Sequence, residues 1–296
     1  MSIYRDYLQP KNIEQAISIL AKNSGTSAVI AGGTDLLLDM RQGRHPDVDL
    51  LVDVSAVAEM TEIEVVDDHI IIGAAATHKQ IITNPLLQKH AQCLVEGCGL
   101  IGGPQVRNVA TLGGNVAHSL PAGDGTIALL ALDAEVQIAS VGGARWEPLV
   151  DIFVGPGKVT FDRKKEILVA FRFQQSGEGE ASAFHRIMRP QGVAIAILNM
   201  AAWVKGDGGE RLADVRIACG PAGPRPFRAR ETEAVLKGKI FNDASFEAAC
   251  HALDAEVSMR TSAHRATKAY RHTLLPVLLR KVMQTAVARS RDQSQA

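Results

Sequence analysis

Two short stretches of the chain place adjacent glycines beside a threonine and a short polar side chain. The first stretch is "AGGTD", with Gly32, Gly33, Thr34 and Asp35, and the second is "ATLGGNVA", with Thr111, Gly113, Gly114 and Asn115. Successive free N–H groups at glycines form a concave anion site, and a following helix N-terminus adds positive partial charge. Two such loops could hold one pyrophosphate from two sides. The simpler alternative is that each glycine pair only makes a turn.

The usual signatures of other chemistries are absent from the sequence. There is no G-x-G-x-x-G, no P-loop, no H-E-x-x-H and no G-x-S-x-G, which disfavours a standard NAD domain, a P-loop enzyme, a metalloprotease and a serine hydrolase. The cysteines at 93, 98, 219 and 250 are too scattered to form a metal or cluster site, so they are predicted to be reduced and mostly buried thiols. His118 and His185 are expected to be structural or on the surface.

Asp124 stands in "PAGD", directly before a predicted helix. Its carboxylate could cap that helix, since Asp is a favoured N-cap residue. It could equally accept hydrogen bonds from ribose or flavin hydroxyl groups. The residue chemistry alone leaves both interpretations open.

The elements around the first glycine pair form a recognisable unit. "TSAVIAG" reads as a strand, "TDLLLDMRQG" as a helix ended by Gly43, and "DLLVDVS" as a second strand, which together predict a parallel βαβ unit. Asn12 is predicted to cap an earlier helix, and Pro85 to break a later one. The stretch "PQVRNVATLGGNVAHSLPAGD" shows no periodicity, so a long functional loop is predicted there.

A polar segment rich in Gly, Ser and Glu, residues 174–182, is the clearest boundary. We expect one domain over residues 1–176 and a second over residues 180–288. In the second, three strand-like segments are followed by helices, the last from about residue 262 to residue 288, which predicts an α+β arrangement.

Composition excludes some functions. Lys+Arg and Asp+Glu both number 32, and this balance argues against a nucleic-acid partner. The N-terminus has no signal-peptide core, and no apolar run is long enough for a membrane helix. We therefore expect a cytoplasmic protein without a membrane partner.

Several motifs, in order and properly spaced, resemble one known family. They are "AGGTDLL", "GPQVRNVATLGGNVA", "PAGDGTIALLALDAEV", "GPGK", "EILVAF", "RIACGPAGPRPFRARETEAVLKGK" and "AEVSMRTSAHRATKAYRHTLLPVLLRK". Over about residues 3–285 the chain resembles the FAD-binding medium subunit of molybdenum hydroxylases, the group of carbon monoxide, xanthine, nicotinate and quinoline dehydrogenases.

This resemblance implies an α+β fold. A two-part FAD-binding domain of the vanillyl-alcohol-oxidase (PCMH) type would be followed by a smaller α+β domain, a three-stranded antiparallel sheet with helices. It also implies which residues contact non-covalent FAD: Ala31, Gly32, Gly33, Thr34 and Asp35 on one side of the pyrophosphate, Thr111, Gly113, Gly114 and Asn115 on the other, Asp124 near the ribityl or ribose groups, and Ile101 and Leu168 along apolar parts.

The resemblance further implies a function. The chain would be the electron-transfer subunit of a flavoprotein oxidoreductase, with no catalytic residue and no metal of its own. A small subunit would carry two [2Fe–2S] clusters and a large subunit the molybdenum cofactor, in an (αβγ)2 heterotrimeric assembly with an external electron acceptor. The alternative is a free-standing FAD-dependent oxidase or dehydrogenase with its own substrate pocket.

The sequence departs from the family after "FHRIMR". Many relatives carry an acidic residue within a few positions of the arginine, whereas this chain has Gln191, Gly192 and Val193. The roles of Arg189 and of the stretch 190–193 are therefore left unassigned.

Overall fold

The computed structural model describes residues 3–190 and 192–293. The strands are β1 (Tyr4–Leu8), β2 (Ser27–Ile30), β3 (Val48–Asp53), β4 (Ile63–Val66), β5 (His69–Gly73), β6 (Glu135–Ser140), β7 (Gly143–Pro148), β8 (Phe153–Gly155), β9 (Lys158–Val159), β10 (Ile167–Gln174), β11 (Glu180–Ile187), β12 (Leu198–Gly206), β13 (Leu212–Gly220) and β14 (Phe227–Arg228). The helices are α1 (Ile13–Lys22), α2 (Leu36–Arg41), α3 (His78–Thr83), α4 (Pro85–His90), α5 (Gln92–Gly99), α6 (Pro104–Arg107), α7 (Leu112–Ala117), α8 (Asp124–Ala131), α9 (Arg230–Leu236), α10 (Asp243–Glu256) and α11 (Lys268–Gln293).

The first glycine pair belongs to a small parallel sheet of order β1–β3–β2. The helix α2 joins β2 to β3, and Gly43 follows it with a φ of +68°. The predicted βαβ unit is thereby confirmed. The predicted cap of α1 is confirmed as well, since Asn12 Oδ1 accepts a hydrogen bond from the N–H of Gln15 at 2.8 Å.

A second, antiparallel sheet completes the first domain, with the order β4–β5–β10–β6–β7. The helix α7 contacts β10 of this sheet, whereas α5 and α8 pack on strands of the C-terminal sheet, and α3 and α4 are separated at Pro85 as predicted. One apolar core, which includes Phe153 and Phe171, extends through this part of the chain. The two sheets confirm the predicted division of the first domain into two parts.

The stretch predicted as a long loop contains two short helices, so that prediction is wrong. It contains α6 and α7, of four and six residues. Helices this short show too few turns for an apolar period to emerge. Backbone hydrogen bonds hold them against the end of β5 and the start of α3: Leu112 donates to the carbonyl of Ala76, and His78 donates to that of Ala110, both at 3.0 Å.

The C-terminal domain is an antiparallel sheet, β11–β12–β13–β14, covered by α9, α10 and α11. Its three long strands confirm the predicted sheet, and β14 adds two residues at one edge. The last helix begins at Lys268 and not near residue 262. Thr261 Oγ1 accepts from the N–H of Lys268, and Thr267 Oγ1 from that of Tyr270, so these side chains end the preceding loop and start the helix.

The prediction that the cysteines are mostly buried is confirmed. Cys93, Cys98 and Cys219 are buried and unpaired, and Cys250 is half-buried. Burial raises the pKa of Cys93 and of Cys219 to about 12, so both remain protonated thiols at neutral pH. In the described part of the chain, no group of three or more His, Cys, Asp or Glu residues is placed to hold a metal ion. Nor does any helix there combine the length and apolar character needed to cross a membrane.

Charged side chains join the two domains. Arg289 of α11 donates to Glu96 of α5 and to the carbonyl of Ser182, and the second oxygen of Glu96 accepts from the N–H of Phe184. Arg228 forms ion pairs with Asp133 and with Glu233. The relative position of the domains is thus set by polar contacts as well as by packing.

Candidate functional site

The first glycine loop turns between β2 and α2 in a conformation that demands glycine at two positions. Gly33 has a φ of +64°, in the left-handed region that side chains other than glycine rarely adopt. A Cβ atom at Gly32 would lie 2.1 Å from the carbonyl oxygen of Val109. The loop therefore packs directly against the backbone that leads into the second glycine pair.

Free backbone donors are concentrated in this first loop. Within residues 3–190 and 192–293, none of the N–H groups of Gly32, Gly33, Thr34 and Asp35 has an acceptor. Asp35 stands at the N-cap position of α2, but its side chain makes no capping hydrogen bond. Consecutive unsatisfied N–H groups at a turn can bind an anion, so this half of the predicted arrangement is present.

The second loop has a different construction. The N–H of Gly113 donates to the carbonyl of Ala74 at 2.8 Å, and the N–H of Gly114 donates to Thr111 Oγ1 at 3.1 Å. A Cβ atom at Gly113 would lie 2.5 Å from the same Ala74 oxygen. The expectation of free N–H groups at this pair is therefore wrong, because α7 is capped by Thr111 and packed against the segment after β5.

Two features of the second loop still face outward. Gly114 is exposed, and a Cβ atom there would meet only Thr111 Oγ1, at 3.1 Å. Asn115 Oδ1 accepts from the N–H and the hydroxyl of Thr126, both at 3.1 Å, which leaves its amide nitrogen without an acceptor among the described residues. The loop thus offers an open backbone surface and one side-chain donor.

An ion pair connects the two loops. His118, which caps the C-terminus of α7, places Nδ1 3.2 Å from Asp35 Oδ2. The carboxylate raises the pKa of His118, and the imidazole lowers the pKa of Asp35. Sequence reasoning missed His118, because no local motif relates it to Asp35.

Asp124 lies in the contact between the domains. It is buried and is the first residue of α8, so the N-cap alternative is wrong: Gly123 occupies that position. Arg186 of β11 donates to Asp124 Oδ2, and Asn199 Nδ2 donates to Oδ1 at 2.6 Å. Burial raises the pKa of Asp124, and the Arg186 charge opposes that shift. Nothing in the sequence around Asp124 indicates these two partners.

Ile101 and Leu168 occupy different environments. Ile101 is half-buried in the turn before α6, where Arg107 Nη1 donates to its carbonyl at 3.0 Å and to that of Gly102 at 2.8 Å. Leu168 is buried in β10, beside a register shift in the pairing with β6. Because Val169 accepts from the N–H of Ala74, β10 passes close to the residue on which Gly113 packs.

The segment after β11 is described except for Gln191, which lies outside the described residues. Arg189 donates to the carbonyl of His264, in the loop before α11. Val193 is exposed and lies near Gly103. His185 contacts Thr285 Oγ1 at 3.1 Å between β11 and α11, which confirms its expected structural role.

Comparisons with known proteins agree with this architecture. Residues 2–173 match the family described as the FAD binding domain in molybdopterin dehydrogenase, and residues 182–286 match the CO dehydrogenase flavoprotein C-terminal domain. The chain is 33% identical over 291 residues to the xanthine dehydrogenase FAD-binding subunit of Escherichia coli O157:H7, covering 96% of this chain and 97% of that one.

Two further relatives extend the comparison. The nicotine 6-hydroxylase medium subunit of Paenarthrobacter nicotinovorans is 33% identical over 287 residues, covering 96% of this chain and 98% of the relative. The solved structure of carbon monoxide dehydrogenase from Hydrogenophaga pseudoflava contains a chain that superposes with a TM-score of 0.91 at 26% identity, covering 97% of this chain and 98% of that chain.

Proposed function

The chain belongs to the family of FAD-binding subunits of molybdopterin dehydrogenases, and on this premise we propose that it binds FAD non-covalently as the electron-transfer subunit of a molybdenum hydroxylase. It would thus be one part of a multi-subunit oxidoreductase. The observation that carries the proposal is the row of unsatisfied N–H groups from Gly32 to Asp35. These donors fit the oxygens of a pyrophosphate.

The first loop would hold the pyrophosphate through its backbone. Ala31 to Asp35 turn around Gly33, whose positive φ helps to shape the bend. Hydrogen bonds to charged oxygens are about twice as strong as neutral ones, so several such donors suffice without a lysine. His118 would keep the Asp35 side chain, and with it the loop, against α7.

The second loop would contribute shape and side chains. The exposed backbone of Gly114 would permit close approach of the phosphates, and the Asn115 amide would supply a donor. Thr111 and Gly113 would hold that surface in place by capping α7 and by packing on Ala74. Both loops would then contact one diphosphate, each by a different means.

Three more residues complete the proposed site. Ile101 and Leu168 would line apolar parts of the cofactor, and Arg107 would fix the Ile101 turn through its two carbonyl contacts. Asp124 would face the ribityl or ribose hydroxyls while its oxygens accept from Arg186 and Asn199. In that position it would couple the cofactor site to the second domain.

When bound, FAD would accept electrons from the [2Fe–2S] clusters of a partner subunit and deliver them to an external acceptor. Two partner chains are proposed, a small iron–sulfur subunit and a large subunit with the molybdenum cofactor, in an (αβγ)2 assembly. The solved carbon monoxide dehydrogenase carries a chain of this fold, which supports a subunit role. We also propose domains over residues 1–176 and 180–288, and a cytoplasmic location.

Flavin analysis and reconstitution test the proposal. The purified chain should carry one FAD, and acid precipitation should release all of the yellow colour into the supernatant. Alone it should be reduced by dithionite but oxidise no aldehyde, purine or N-heterocycle. Addition of the small and large subunits should restore substrate-dependent turnover. Flavin that stays with the precipitate would contradict the non-covalent site, and steady turnover by the isolated chain would favour a free-standing oxidase.

A further inference from the structure

Three arginines without a carboxylate partner among the described residues lie in the loop between α10 and α11 and in the first turn of α11. They are Arg260, Arg265 and Arg271, and none forms an ion pair within the described ranges 3–190 and 192–293. Arg271 is only 3% exposed, and its buried Nε has no hydrogen-bond partner. A buried cation without a counter-charge is strongly unfavourable, so a negative group beside Arg271 would stabilise it.

The three guanidinium groups are close enough to affect one another. Burial lowers the pKa of Arg271, and the charges of Arg265 and Arg260 lower it further. Burial and the charge of Arg260 likewise lower the pKa of Arg265. The repulsion among these positive charges would be reduced by a negative group beside them.

The start of α11 adds positive potential at the same place. Arg271 lies in the first turn of this 26-residue helix, and that turn contains Lys268 but no acidic residue. A helix N-terminus carries a positive partial charge that favours anions and disfavours cations. Basic side chains are favourable near the C-terminus of a helix, whereas Arg271 is buried near the N-terminus of α11. An anion bound there would offset the repulsion between Arg271 and the helix dipole.

The loop that carries Arg260 and Arg265 is held in position by other contacts. Arg189 donates to the carbonyl of His264, Ser262 pairs with Ala266, and the N–H of Ser258 donates to the carbonyl of Ala222 at 2.7 Å. The basic groups are thus presented by an ordered backbone. Binding an anion there would require little ordering of the loop, which favours affinity.

The charge composition of the C-terminal domain also favours the binding of an anion. Basic residues outnumber acidic ones from residue 182 to the C-terminus, whereas acidic residues predominate in residues 1–176, although the whole chain is balanced. Tyr270, beside Arg271 in sequence, is 48% exposed. Arginine and tyrosine are both enriched where proteins bind partners.

We propose that Arg260, Arg265 and Arg271, with the first turn of α11, form a binding site for an oxyanion, either a carboxylate or a phosphate group. Planar guanidinium groups bind both kinds of group with paired hydrogen bonds. The oxyanion has two sources, a carboxylate of a partner chain or a free phosphate compound. Binding of a partner's carboxylate rests on the proposed subunit role, whereas binding of a free phosphate compound does not depend on that role.

Inorganic phosphate is the probe for the free source. The FAD-loaded full chain is used, so that the proposed pyrophosphate site is already filled. Its melting temperature is measured in phosphate and in sodium chloride of equal ionic strength. Phosphate well above its Kd should raise the melting temperature by about 5 °C. Arg265→Gln should abolish that increase, whereas the control Arg280→Gln should keep it, because Arg280 pairs with Asp243 and stacks on Phe246.

Arg271→Met provides a second variant, because it replaces the buried cation with an apolar side chain of similar length. In chloride it should melt at the wild-type temperature or above, and in phosphate it should show no increase. If Arg271→Met is much less stable than the wild type in chloride and still melts at a higher temperature in phosphate, Arg271 is not an unpaired cation that binds the anion, and the proposal is wrong.

Reconstitution with the two partner subunits tests the other source. If a partner carboxylate fills the site, phosphate has no effect on the isolated chain, while Arg265→Gln weakens assembly about tenfold or more and reduces its salt dependence. The flavin content of the variants should equal that of the wild type, so a failure of this proposal is separable from a failure of FAD binding. Identical behaviour of wild type and variants in both experiments would overturn the proposal.

Discussion

His118 Nδ1 lies 3.2 Å from Asp35 Oδ2, and this contact joins the loop after β2 to the end of α7. Both residues flank the glycine pairs that could be recognised in the sequence. The two loops are therefore linked by an ion pair as well as by the packing of Gly32 on Val109. The ionisation of two side chains then contributes to the geometry of the proposed pyrophosphate site.

The stability contributed by this pair should depend on pH. Asp35 raises the pKa of His118 above its ordinary 6.5, so the histidine contribution is complete below pH 6.5 and is lost as pH rises through the folded-state pKa. His118 lowers the pKa of Asp35 below 3.8, so the aspartate contribution is present above pH 3.8 and is lost as pH falls through the folded-state pKa. Together they define a window between pH 3.8 and 6.5.

His118→Gln should therefore lower the free energy of unfolding by about 0.5 kcal/mol at pH 5.5, since the pair is partly exposed, and should have little effect at pH 9. Urea unfolding at the two pH values measures the difference. His251→Gln is the matched control, because His251 is exposed and has no carboxylate contact among the described residues. An equal loss at both pH values would mean that packing, and not charge, accounts for the effect.

Gly33→Ala and Gly43→Ala separate backbone strain from ligand binding. Both glycines have a positive φ, +64° and +68°, so the backbone strain of each alanine should cost about 1–2 kcal/mol of stability, and at Gly33 the end of the Ile30 side chain, 2.9 Å from the added Cβ, must also shift. Gly43 has open space around it, and only Gly33 lies in the loop with the free donors. Gly33→Ala should lose FAD while Gly43→Ala keeps it, as measured by flavin per chain. Loss of flavin from both would point to a general effect of destabilisation.

Neighbouring glycines of the second loop should respond in opposite ways. Gly113→Ala should destabilise the fold by about 1–3 kcal/mol, because its Cβ would press on the Ala74 carbonyl. Gly114→Val should keep the fold, since its site is exposed and its Cβ would meet only Thr111 Oγ1, but should weaken FAD binding roughly tenfold to a hundredfold, because the side chain would fill the space that the phosphates approach and lengthen their hydrogen bonds. Thermal melting and flavin titration distinguish the two results. Full flavin occupancy in Gly114→Val would remove Gly114 from the proposed site.

Gly33 and Gly113 show which features of the two loops could be predicted from the sequence and which could not. The strand, the turn and the helix around Gly33 could be predicted from the sequence. The residue types that favour a turn and the spacing of apolar residues that indicates a strand or a helix both involve residues close together in the chain. The construction of the second loop could not be predicted in this way. Glycine is needed at position 113 because the backbone of Ala74, which is distant in sequence, leaves no room for a Cβ atom. The partners of Asp124 and the contact of His118 were missed for the same reason.

Asp124→Asn should destabilise the chain strongly, because it leaves the buried Arg186 without its counter-charge. Breaking a buried pair from one side typically costs about 3–5 kcal/mol. The double variant Asp124→Asn with Arg186→Met removes that unpaired charge and should recover much of the loss. Denaturant unfolding of the single and double variants measures the recovery. A double variant as unstable as the single one would show that the pair is not what stabilises the domain contact.

The contact between Arg289 and Glu96 has a consequence for synthesis. The two residues are 193 positions apart, and Arg289 belongs to α11. At roughly 5–20 residues per second, a ribosome needs about 10–40 seconds to make the chain between them. During that interval α5 exposes the carboxylate that Arg289 later binds. The contact of Arg289 with Glu96 can therefore form only after α11 has emerged from the ribosome, later than the contacts of Arg186 with Asp124 and of Arg228 with Asp133.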